Sequence, residues 1–165
     1  MQAISHFLVG IILQMVLIEV FMPFGVILGM ILVIFLAFFS HFLVDSFARM
    51  TYHLKEAQPQ DKFWVGYHIV IITAAAIVLI YFWKPYWLGM GAAVLIDIWD
   101  WGVIRGIRKL KKDPLWAERY EIHPFIDKFR TKFFSWLPDW NEKRYGVVPE
   151  AILIILLLLL IYLLL

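Results

Sequence analysis

An all-α bundle of about five transmembrane helices, with one interfacial amphipathic helix, is the fold class this sequence predicts. Three observations carry the expectation. Apolar runs of about 20 residues recur along the 165-residue chain, each long enough to cross roughly 30 Å of hydrocarbon. The composition is 63% hydrophobic with a mean hydropathy of +0.81, more apolar surface than a soluble domain of this length can bury. Lys and Arg are concentrated in two of the segments between the runs.

The first run extends from about Ala3 to Met22 and ends in an uncharged Pro23-Phe24-Gly25 turn. The second, Val26 to Phe47, leads into a polar loop from Arg49 to Lys62. The third covers Phe63 to Phe82, and Lys84-Pro85 reads as a tight turn before the fourth, Tyr86 to Ile104. A charged segment, Arg105 to Arg144, separates these from a final Leu/Ile run over Val147 to Leu165. The expected organisation is a four-helix membrane core over 1–105, a basic and aromatic interfacial segment over 106–146, and a fifth helix over 147–165.

Inside the charged segment, Asp113-Pro114 has the form of a helix start, an N-cap followed by proline at the first helical position. Phe125, Ile126, Phe129, Phe133 and Phe134 fall at helical spacing with Lys128, Arg130 and Lys132 between them, a pattern suited to lying at a lipid interface. Trp116, Trp136, Trp140 and Tyr145 are candidate interface anchors. Anionic headgroups would be attracted to this side, each basic residue contributing about 1 kcal/mol.

Of the fifteen Lys and Arg residues, only Lys84 lies outside the two rich segments, which follow the second and fourth runs and so share one side. The positive-inside rule makes that side cytoplasmic, with the N-terminus inside and the C-terminus outside, in a prokaryotic plasma (inner) membrane. A net charge of +2 is too small to imply nucleic-acid binding; membrane lipids, a second copy or a partner membrane subunit are the expected partners. No cysteine occurs, which excludes disulfides and thiolate metal sites. The first run has no basic n-region and no small-residue cleavage site, so it reads as a retained span.

Ionisable residues inside the apolar runs need a reason, because burying charge in lipid is costly. Ser40-His-Phe-Leu-Val-Asp45 puts His41 and Asp45 four residues apart on one helical face, about 6 Å along the axis. His6 opens the first run, His68 lies near the start of the third, and Asp97 and Asp100 share a face near the end of the fourth. In the expected topology all of them reach one depth in the cytoplasmic leaflet; only Gln14 and Glu19 lie deeper. Imidazole and carboxylate together suit zinc, manganese or iron, and with more oxygens magnesium; zinc or manganese is the expected ion. His41, Asp45, Asp97 and Asp100 are the candidate metal ligands, with His6 and His68 as the remaining ligand or general base. His123, before Pro124, could fold back over the mouth, and Arg49, Arg105 and Arg108 could hold a phosphate. The blander readings are a His41–Asp45 packing pair, and Asp97 and Asp100 paired with arginines.

The S-H-F-L-V-D element, with His6 followed by Gly10 in the first run, resembles the YdjM-type membrane-bound metal-dependent hydrolases, small helical bundles with an N-terminal His, a paired-Asp motif and S-H-x-x-x-D. Here the paired element is spelled D-I-W-D, Asp97 to Asp100, and follows S-H-F-L-V-D. The resemblance implies His6, His41, Asp45, Asp97 and Asp100 as ligands or their neighbours, and hydrolysis of a lipid or amphiphilic phosphoester. Two other functions fit the same residues. Ion or proton transport would require a polar route outward through Gln14 and Glu19. A non-catalytic accessory subunit would pair its His and Asp side chains with each other.

Overall fold

A computed structural model describes residues 2–54, 57–111 and 119–165. The expected helix start at Asp113-Pro114 and the anchor Trp116 lie outside these residues. Among the described residues every regular element is helical: α1 (Ala3–Phe21), α2 (Val26–Phe47), α3 (Lys62–Ala93), α4 (Leu95–Asp97), a π-helical stretch (Ile98–Ile104), α5 (Arg105–Lys111), α6 (His123–Phe133) and α7 (Val147–Leu164).

Among the described residues, four helical segments are long and apolar enough to cross a membrane: Ala3–Phe24, Val26–Met50, Lys62–Ala93 and Arg144–Leu164. Exposed Ile69, Val70, Ile72, Ile80 and Ile155 give them surfaces that only an apolar solvent would cover. The turn between α1 and α2 relies on Gly25 at φ +110°, a backbone conformation that side chains disfavour. Asp61 caps α3 by accepting the Phe63 N–H at 2.9 Å.

The third and fourth apolar runs differ from the expected pair of separate spans. They join in one 32-residue helix, interrupted only by Pro85 and by non-helical Tyr86 at φ −124°, ψ 20°. Proline removes one helix hydrogen bond and crowds the preceding turn, and the chain bends there. The bend is a reversal. A straight helix would carry Asp97 about 45 Å from Tyr67 at about 1.5 Å per residue. Instead both ends meet α1: Tyr67 and the Gln2 N–H share the Glu150 carboxylate, while Asp97 approaches His41, whose ring stacks on His6.

The returning limb is clamped to α1. Gln14 Nε2 donates to the Pro85 carbonyl at 3.0 Å, and Gln14 Oε1 accepts the Gly89 N–H at 2.8 Å. Gly10 and Gly89 face each other so closely that a Cβ on Gly10 would lie 2.3 Å from the Gly89 carbonyl oxygen. α1 is thus the centre of the bundle, with Ile4, Leu8 and Ile11 buried against Tyr67, Ile71, Val78, Met90 and Ile161. α6 crosses the polar end, burying Ile126 and setting Phe125 and Phe129 edge-on to Phe42 at 6.0 and 6.2 Å. Beside it, segments 49–53 and 140–141 pair through Trp140 N–H to Arg49 and His53 N–H to Asn141, each at 2.8 Å.

Candidate metal centre

α1 contributes His6 to the polar end of the bundle and α2 contributes His41 and Asp45 one turn apart, all buried. The returning limb adds Asp97, and α6 brings His123 down from above. His6 Nε2 lies 3.2 Å from Asp45 Oδ1; His41 Nε2 lies 3.4 Å from Asp45 Oδ2 and 3.8 Å from Asp97 Oδ1. His123 Nε2 lies 3.5 Å from Asp45 Oδ2 and 3.3 Å from Asp97 Oδ1. The rings of His6 and His41 stack at 4.0 Å. Four segments far apart in the chain therefore bring three imidazoles and two carboxylates together in two overlapping groups.

Hydrogen bonds fix which nitrogen faces inward. His41 Nδ1–H donates to the Ala93 carbonyl at 2.8 Å, so its Nε2 faces carboxylates and is a buried atom without a hydrogen-bond partner. His123 Nδ1–H donates to Asp100 Oδ2 at 2.6 Å, again leaving Nε2 toward the cluster. A lone pair aimed at carboxylates is repulsive unless a proton or a cation lies between them. Spacing favours the cation as well. Two ligands about 2.0–2.1 Å from one tetrahedral ion are about 3.3 Å apart, close to the separations found here. The cluster could hold a metal ion through either of two overlapping triads, His6–His41–Asp45 or His41–Asp97–His123.

Asp97 and Asp100 meet one His123 ring at its two nitrogens, Nε2 at 3.3 Å and Nδ1 at 2.6 Å, but differ in their other contacts. Asp97 enters the cluster, whereas Asp100 accepts the N–H groups of Ile122 and His123 and the His123 ring, leaving it no oxygen directed at the cluster. Asp100 thereby fixes the orientation of the His123 ring.

His68 is not brought to the cluster. Its Nδ1–H donates to the Trp64 carbonyl at 2.8 Å and its ring packs against Trp64 and Tyr67. The three arginines also separate. Arg105 lines a cavity of about 640 Å³ above the cluster and stacks on Trp101, 3.2 Å from the ring centroid. Arg49 pairs instead with Asp139 at 3.7 Å, and neither Arg49 nor Arg108 lines that cavity.

Arg130 and His53 line the cavity with Asp45, Asp97, His123 and Arg105. Arg130 stood out in the sequence only as part of a basic helix face, and His53 carried no signal in its polar loop. Burial pushes the His53 imidazole down to about 4. At His123 burial opposes the charge, but Asp45, Asp97 and Asp100 outweigh it and push the imidazole up to about 10. No protein-family model, curated protein or solved structure matches the chain.

Proposed function

We propose that this chain is a membrane-embedded, metal-dependent hydrolase of a lipid or amphiphilic phosphoester, working at the cytoplasmic leaflet. The observation that carries the reading is the convergence of the His6, His41 and His123 Nε2 atoms on Asp45 and Asp97 at metal-ligand spacing. The cavity above them is lined by carboxylates and by Arg105 and Arg130, the latter paired with Asp127 at 2.9 Å, and these two guanidinium groups would be its phosphate donors. A zinc or manganese ion would supply Lewis acidity and lower the pKa of water toward neutrality. The protein would hold that ion with His41, Asp45, Asp97 and His123, and with His6 through Asp45. Arg105 and Arg130 would orient the phosphate, and Asp100 would keep His123 in the ligating tautomer. The resemblance of S-H-F-L-V-D to the YdjM-type hydrolases points the same way.

The same reading takes the two limbs of α3 as separate crossings, giving five spans, because the reversal at Tyr86 returns Asp97 to the level of His6. α6 lies in the interface, with Phe125, Phe133 and Trp136 exposed beside Lys128 and Lys132. The basic loops put the cluster and the N-terminus on the cytoplasmic side and the C-terminus outside. Transport fits less well. Gln14 is committed at both ends to the Pro85–Gly89 backbone, and the Gly10–Gly89 contact packs the layer just outside the cluster.

Metal analysis of the purified protein and of a His41→Ala variant tests the reading. Stoichiometric zinc or manganese in the parent, lost in the variant, with phosphate released from phosphoester lipid vesicles only by the parent, is the expected outcome. No metal in either sample removes the hydrolase and leaves an accessory subunit whose His and Asp side chains pair with one another.

A further inference from the structure

A second cavity, about 650 Å³, lies between the end of α2 and the first half of α7, away from the His/Asp cluster. Phe47 and Met50 form one wall, Val148, Ile152 and Leu156 the other, and Trp140 and Tyr145 stand at its cytoplasmic rim. Val148 to Leu156 spans about 12 Å of helix axis, the length of a good part of one acyl chain. The rim is also a wall of the site already described. In the paired segments, Thr51 and Trp140 face the groove, while their near neighbours His53 and Asn141 line the cavity above the cluster. The apolar slot and the polar cavity, which Arg105 and Arg130 line together with Asp45, Asp97, Glu121 and Asp127, are therefore separated by one thickness of backbone.

We propose that the α2–α7 groove is an acyl-chain subsite for a phosphate-headed membrane lipid. The chain lies along α7 with its ester end at Trp140, and the headgroup turns over the 51–53/140–141 wall toward Arg130. The groove's orientation along a membrane-crossing helix and its continuity with a cavity bearing two arginines select this occupant. A soluble phosphate ester would use the cavity and leave the groove untouched, and a partner helix would not need the polar side. The inference deepens the hydrolase reading by naming its substrate as a lipid held by one chain, but its test needs neither turnover nor metal.

Because the chain has no cysteine, single cysteines can be placed at will. Ile152→Cys faces the groove, and Ile155→Cys lies on the neighbouring face of α7, against Tyr67 and Ala74. The full-length protein in vesicles containing a phosphatidic acid with a thiol-reactive group on its acyl chain should be labelled at Ile152→Cys in preference to Ile155→Cys. Excess unlabelled phosphatidic acid should compete, and a neutral diacylglycerol should not. Adding Leu153→Trp to fill the slot should reduce labelling at position 152 about tenfold while leaving position 155 unchanged. Equal labelling at both positions, or equal competition by the neutral lipid, identifies ordinary boundary lipid and overturns the proposal. Metal content in the same samples reports separately on the cluster.

Discussion

Asp100 Oδ2 accepts the Nδ1–H of His123 at 2.6 Å, and the same carboxylate accepts the backbone N–H groups of Ile122 and His123. One side chain thus sets both the start of α6 and the tautomer of the imidazole that α6 delivers. Asp100→Asn keeps an oxygen for the backbone but weakens the acceptor for the ring. Its expected effect is about a 10–100-fold loss of metal affinity in a protein that remains folded. Competition with a chromophoric chelator measures it, and unchanged affinity would show that Asp100 only caps the helix.

Metal affinity should rise with pH. With His123 pushed up to about 10, an incoming ion must displace its proton throughout the neutral range. One displaced proton gives about a tenfold gain in affinity per pH unit until the imidazole is neutral. Stability of the metal-free protein runs the other way. Because the folded pKa is raised above 6.5, the His123 contribution is fully present below about pH 6.5 and is lost as pH climbs through about 10. Thermal melts with chelator across that range should fall with pH, and His123→Gln should flatten the slope.

His68 provides the matching control. It packs on Trp64 and Tyr67 and makes its own-helix hydrogen bond there, so His68→Ala should leave metal stoichiometry and affinity unchanged. A stoichiometric loss of metal in that variant would place a ligand where the structure has none.

The contrast between His68 and His123 shows what the sequence could carry. Depth was legible, because apolar runs of spanning length fix how far each residue lies from a membrane face. That was enough to group His6, His41, Asp45 and Asp97. Azimuth was not legible, because helices apolar on every side have no polar face from which to read orientation. His68 therefore looked equivalent to His6 while packing on Trp64 and Tyr67 of its own helix. Asp100 shares the His123 ring with Asp97, as their spacing of three suggests, but nothing in D-I-W-D announces the two backbone N–H groups it also accepts. His53 and Arg130 joined the cavity through pairing between loops and through docking of α6 on Phe42, long-range contacts that no local spacing encodes.

The clamp between α1 and the returning limb of α3 yields the last prediction. Gln14 satisfies the Pro85 carbonyl and the Gly89 N–H, two backbone groups that the bend at Tyr86 would otherwise leave open in an apolar medium. Gln14→Leu should cost about 1–3 kcal/mol, the penalty for unsatisfied buried polar groups. Gly10→Ala should cost at least as much, because its Cβ would meet backbone at 2.3 Å and backbone cannot rotate away. These two segments also carry His6 and Asp97, so loosening the clamp should weaken metal binding without touching a ligand. Melting temperature and metal affinity should therefore fall together in both variants. A Gln14→Leu protein of normal stability and metal affinity that had lost ion flux would instead make Gln14 a step in a transport path.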